Sequence, residues 1–206
     1  MPLQPLPVVY AGIRFPSRTV ARWAIFLDHL KIEWEYEPDA YDTDEGPYVP
    51  TFKVKIDQVK NSSSYHQFFT VEQPGSPHGA RHVAFARATG LPLIVARQMP
   101  RSYADQFPRG GRLLAYNLMV DNSDNWPVQC SFVNVDQPAL RQWCALGDNR
   151  HWCQEDFGFS MASRTHLAVE CPGSYSPPAE SPVVDEAFVE ARSARFVWSD
   201  GGDVTP

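Results

Sequence analysis

Apolar residues recur along this chain at two spacings, three to four apart and two apart, and the places where one gives way to the other mark out the elements. From Ser17 to about Leu30, the residues Val20, Trp23, Ala24, Leu27 and Leu30 share one helical face, and Ser17 is placed to cap the first turn. Arg18 and Arg22 fall together on another face. Ile32, Trp34 and Tyr36 then alternate with Glu33 and Glu35, which predicts a half-exposed strand, and the turn-rich segment Pro38–Pro47 leads into a second alternating run. In that run Tyr48, Phe52, Val54 and Ile56 are expected on one side and Val49, Thr51, Lys53 and Lys55 on the other, completing a β-hairpin.

A crossover follows. Phe68–Glu72 predicts a short strand ended by Gln73, Pro74 and Gly75, and helix spacing returns in Ala80, Val83, Ala84, Arg87 and Ala88, with Gly90 placed to stop the helix in a left-handed conformation. Leu91–Ala96 is a compact apolar strand. Strand, helix and strand in that order imply a right-handed crossover and a mixed sheet, with the first helix on the opposite face. Leu113–Val120 and Val128–Val135 read as strands, Pro138–Leu146 as a helix, and the Pro/Ser-rich Pro172–Pro182 as a loop. Pro182 opens a final helix whose buried stripe is Val184, Ala187, Phe188 and Ala191, with Asp185 and Glu186 in the first turn and Arg192 and Arg195 near the end, matching the helix dipole. The fold class expected is α/β: a mixed central sheet flanked by helices, with an irregular C-terminal extension. The expected organisation is a flexible segment 1–9, a core 10–120, an extension 121–198 carrying the final helix, and a flexible tail 199–206.

Composition narrows the chemistry. With 206 residues, 43% of them hydrophobic, the chain can bury a sizeable core, which excludes wholesale disorder. No run approaches the roughly 20 apolar residues that cross a bilayer, and the start MPLQPLPVV lacks the regions of a signal peptide, so no membrane partner and a cytoplasmic location are expected. The four cysteines, Cys130, Cys144, Cys153 and Cys171, have no CxxC spacing, and reduced thiols are expected. A formal net charge of −6 opposes general attraction to phosphate backbones, so any such contact must be local and, with only Lys31, Lys53, Lys55 and Lys60 as lysines, must rest largely on arginine.

Tyr10-Ala-Gly, Phe15, Ser17-Arg18, Ala21-Arg22-Trp23-Ala24, Phe26, Asp28, Trp34, Tyr36-Glu37-Pro38 and Tyr48-Val-Pro resemble a group of actinobacterial and phage proteins with the restriction-endonuclease-like, PD-(D/E)XK fold. The resemblance returns in Gly79–Met99 with Pro100 and Arg101, and in the ARSARF of the end segment Ala187–Phe196; it is loose over Leu113–Pro182. In such nucleases an aspartate after the proline and a Glu-X-Lys on the next strand bind magnesium and activate water, often assisted by a glutamate of the first helix. Carboxylates are needed there because Mg²⁺ prefers hard oxygen ligands.

This chain departs at each of those places. The resemblance sets Val20 at the helix-one glutamate, Thr51 at the aspartate, Thr70 at the later glutamate and Glu72 at its lysine. Sliding the last motif by two places makes Glu72 the acid and leaves Pro74 for the lysine, so neither register restores a metal site. The resemblance thus implies a pseudo-nuclease with no catalytic residue and no cofactor. A glutamate three residues after Ser17 would also complete a capping box, so Val20 has a purely structural reading as a core residue.

Other clusters divide between chemistry and plain surface. Arg14, Arg18 and Arg22, with Lys53 and Lys55, are the candidate nucleic-acid contacts; in the alternative the arginines pair with Glu33, Glu35 or Asp28. His78 and His82 have a zinc-compatible spacing without a third ligand, and Cys153 and Cys171 stand where related proteins carry a zinc element, without its paired cysteines. Asp148 and His151 lie near Cys144 and Cys153, but closeness in sequence makes no Cys–His pair. Three functions follow: a silent nuclease-fold protein associating with DNA or a nucleoprotein complex in a phage, mobile-element or defence context; a protein-interaction module, which exposed Trp126, Trp143 and Trp152 would favour; and a Mg-dependent nuclease whose ligands have moved to Asp39, Asp42, Asp44 and Glu45.

Overall fold

The structure is a computed structural model that describes residues 6–55, 66–72, 79–96, 98–99, 117–120, 128–134, 158–160, 165–169 and 182–196. It opens with a small antiparallel hairpin, β1 (Val8–Tyr10) and β2 (Ile13–Phe15), in which Val8 pairs with Phe15. Ala11 and Gly12 both turn with positive φ, 50° and 78°, and the glycine takes its value without steric cost. Val8 is buried, so this strand reaches into the segment 1–9 that was expected to be flexible.

Helix α1 (Arg18–His29) starts where the apolar spacing predicts, with Ser17 accepting a hydrogen bond from the Val20 amide. A second hairpin joins β3 (Trp34–Tyr36) to β4 (Phe52–Lys55), and β5 (His66–Val71) adds to β4 antiparallel. Helix α2 (Ala80–Thr89) ends at Gly90 with φ 67°, as expected, and delivers β6 (Leu93–Ala96) parallel to β5.

The same sheet continues beyond residue 120. Strands β7 (Asn117–Val120), β8 (Val128–Asn134), β9 (Gly158–Ser160) and β10 (Thr165–Val169) extend it in the order β3-β4-β5-β6-β7-β8-β10-β9. Every pairing but that of β5 with β6 is antiparallel, which makes the sheet mixed and the fold α/β. The last helix, α3 (Pro182–Ser193), buries Val184, Ala187, Phe188 and Ala191, the stripe expected from sequence; Arg195 lies just past its end.

Two cores lie on the two faces of the sheet. On one, α1 and α3 cover Phe52, Val54, Phe69, Ile94 and Ala96; on the other, α2 brings Phe85 against Phe68, Leu93, Val95 and Tyr48. Tyr48 was expected beside Phe52, and the structure puts it on the opposite face. Regular β pairing of this strand starts only at Phe52, while Tyr48 forms an isolated bridge with Tyr41, so the two-residue alternation does not run through Pro50. The expected helix Pro138–Leu146, the loop preceding Pro182, the tail 199–206, His78 and the cysteines Cys144, Cys153 and Cys171 with their neighbours Asp148 and His151 lie outside the described residues, as do Trp126, Trp143 and Trp152. Among the described residues no helix is long and apolar enough to cross a membrane.

Candidate functional site

The pairing of Phe52 with Phe69 sets Thr51 opposite Thr70, on the α2 face, where β4 begins and β5 ends. Their hydroxyl oxygens are 3.3 Å apart, and Thr51 Oγ1 also accepts a hydrogen bond from the Val71 amide at 3.0 Å. The Thr51 carbonyl in turn accepts from the Glu37 amide, where φ is 43°, fixing the position of the residue after Pro50. Each threonine hydroxyl is thus occupied by protein partners. Tyr48, 7% exposed, lies against the same cluster, close enough for Thr70 to favour its ionised form.

Glu72 follows two residues after Thr70 and so projects to the same face. Its amide continues the β5–β6 ladder onto the Ala96 carbonyl at 2.8 Å, and its carboxylate lies 3.5 Å from His82 Nε2 on α2, both side chains being buried. The His82 ring stands edge-on to Tyr48 at 5.7 Å, and the Arg81 guanidinium lies over the Tyr48 ring at 5.8 Å while donating to the Pro47 carbonyl. Burial pushes the Tyr48 phenol up to about 12; the Thr70 hydrogen bond opposes this, Glu72 adds to it and Arg81 opposes it.

Three of the four positions drawn from the resemblance therefore meet: Thr51, Thr70 and Glu72 share one end of one sheet face. Val20 does not join them. It is buried at 3% exposure in the core under α1, on the other face, in keeping with its structural reading. Tyr48, Arg81 and His82 complete the cluster. Sequence reasoning weighed His82 only as a zinc ligand and overlooked Arg81; the helical spacing of the pair after Gly79 was visible, but not the strand it faces.

The candidate nucleic-acid residues are dispersed. Lys53 lies 3.8 Å from Glu35 of β3 and Lys55 2.9 Å from Glu33, the residue just before β3, so both lysines are met by glutamates alongside β4. Those glutamates were expected to pair with arginines. Asp28 is likewise taken, accepting from Tyr10 Oη at 2.7 Å and Trp34 Nε1 at 2.8 Å. Arg14 is exposed on β2, and Arg18 and Arg22 lie on α1. Burial, then the positive fields of Arg192 and Arg18, hold the Arg22 guanidinium below its ordinary value.

Magnesium of the kind the resemblance implies does not fit these residues. Two of its oxygen positions are neutral hydroxyls that hydrogen-bond each other, and the one carboxylate is directed at an imidazole. Asp39, Asp42, Asp44 and Glu45 are exposed around the hairpin turn, where Thr43 Oγ1 binds the Gly46 carbonyl, and no group of three or more His, Cys, Asp or Glu side chains converges among the described residues. No family model matches the chain, nor does any curated protein or solved structure. What the geometry defines is an α/β protein with a mixed sheet and a polar cluster at the end of β5.

Proposed function

We propose that this chain is a restriction-endonuclease-like protein without hydrolytic activity that associates with DNA or a nucleoprotein complex, in the cytoplasm and in a phage, mobile-element or defence context. The observation that carries the reading is the Thr51–Thr70 contact of 3.3 Å. The residues aligned with two metal-binding carboxylates lie opposite each other on adjacent strands, which supports the alignment, and they are hydroxyls satisfied within the protein, which supports the loss of hydrolysis. Nucleic-acid association is supported by Arg14 on β2 and by Arg18 and Arg22 one turn apart on α1.

Incubation with plasmid and Mg²⁺ or Mn²⁺ tests the first half, and no nicking above that of a mock purification is expected. Cleavage abolished by Glu72→Ala or Asp42→Ala would overturn it in favour of relocated ligands. Duplex binding across a salt series tests the second half: affinity at low salt that falls steeply as salt rises is expected. A protein-interaction role is the alternative favoured by the pairing of Lys53 and Lys55 with glutamates and by Val49, 47% exposed beside the cluster. Absence of duplex binding at low salt would decide for it.

A further inference from the structure

We propose that Arg22 of α1 and Arg192 of α3 form a phosphate-binding subsite at one end of the helix pair. This rests on the nucleic-acid reading above and names the chemical group and the residues through which association would run. Helix α3 was not part of that reading.

His29 at the end of α1 lines one cavity with Pro182 and Asp185 at the start of α3, so the two helices run antiparallel. Phe26 of α1 stacks on Phe188 of α3, with ring centroids 4.5 Å apart and an interplanar angle of 22°. One turn back from Phe26 is Arg22, and one turn on from Phe188 is Arg192, so antiparallel packing carries both guanidiniums to the same end. Arg192 Nη1 donates to the Met99 carbonyl at 2.9 Å, which anchors the cluster just beyond β6 and uses one of the five N–H groups of that side chain. Val71 pairs with Ala96, so this is the end of the sheet at which Thr70 and Glu72 lie. The depression of the Arg22 guanidinium by Arg192 and Arg18 agrees with their proximity.

Like charges held together on rigid elements are unfavourable unless an anion joins them. Among the described residues no ion pair joins a carboxylate of these two helices to Arg22 or Arg192. Asp28 accepts from Tyr10 and Trp34, Glu190 acts on Tyr10, and Asp185 and Glu186 line a cavity with His29 toward the start of α3. The first turn of α1 has no acidic residue. Arg22 Nε is buried and has no hydrogen-bond acceptor among the described residues. Such a donor set matches the tetrahedral oxygens of a phosphate, which guanidinium forks bind in pairs. In a chain of net charge −6, this local concentration is what would hold a phosphate of a nucleic-acid backbone.

The test uses the full chain and two probes. A labelled duplex is titrated by fluorescence anisotropy over a salt series, and inorganic phosphate by calorimetry, against wild type, Arg22→Gln, Arg192→Gln and the control Arg87→Gln on α2. Circular dichroism melts establish folding. Each of the first two variants should weaken duplex binding about tenfold and flatten the salt dependence by about one counterion, and the control should do neither. If wild type binds duplex and both variants bind it equally well, the subsite is overturned while nucleic-acid association stands. If wild type binds inorganic phosphate through Arg22 but no duplex, the subsite stands and the nucleic-acid reading falls. Binding of neither probe overturns both. Should Arg192→Gln fail to fold through loss of the Met99 contact, Arg22→Gln decides, because its Nε has no such contact to lose.

Discussion

Thr51 and Thr70 face each other across two antiparallel strands with their hydroxyl oxygens 3.3 Å apart, and Thr51 at the same time accepts the Val71 amide. The arrangement ties the start of β4 to the end of β5 by side chains where the regular ladder stops. Replacing Thr51 with Val keeps the shape and removes the acceptor, leaving one amide and one hydroxyl without their partner. A loss of about 1–2 kcal/mol in urea unfolding is expected, with Thr51→Ser close to wild type. Equal stability of the valine and serine variants would contradict the hydrogen-bonded role.

Glu72 and His82 form a buried pair at 3.5 Å. Removing either partner takes the nearest ionisable neighbour from a buried group, so His82→Leu and Glu72→Leu should each cost about 3 kcal/mol, whereas the double variant should cost clearly less than their sum. A double-mutant cycle by chemical denaturation measures this. Additive losses would mean that the two side chains do not act on each other.

Phe188 is wholly buried against Phe26 and Trp23 of α1, with centroids 4.5 Å and 6.3 Å away. Truncation to Ala should cost about 3–5 kcal/mol, as large cavities in aromatic cores do. The neighbouring Val189 is 58% exposed, and its replacement by Ala should change stability by about 0.5 kcal/mol or less. Comparable effects at the two positions would refute the packing.

The tyrosines set an alkaline limit. Burial raises Tyr10 to about 12, helped by its hydrogen bond to Asp28, and burial likewise raises Tyr48 to about 12. Because both folded-state values exceed the unfolded value of about 10, the stability they contribute is complete below about pH 10 and is lost as pH rises toward about 12. Urea midpoints should therefore fall between about pH 9 and pH 11, with a shallower fall in Tyr48→Phe. A flat profile would show that neither phenol is protected by folding.

Much of the scaffold was legible in sequence because it rests on local chemistry. The side chain of Ser17 closes the first turn of α1, Gly90 supplies the left-handed residue that ends α2, and Val184, Ala187, Phe188 and Ala191 repeat at the spacing of α3. The hairpin β1–β2 escaped because its strands are only three residues each and carry little periodicity. Tyr48 was placed on the wrong face because alternation was carried through Pro50, where no ladder constrains it. The pairing of Thr51 with Thr70 was not legible, since no spacing along one strand reveals which residue stands opposite on the next.

By itself the amino-acid sequence determined where the helices and most core strands lie and that the core is α/β. Helix caps and apolar periodicity act over a few residues, so they are written locally. Only the tertiary structure decided that Glu72 meets His82 and that Lys53 and Lys55 face Glu35 and Glu33. Those contacts arise when strand register and helix crossing bring distant residues together, and the burial that drives such packing is indifferent to which polar groups it leaves at the edge of the core.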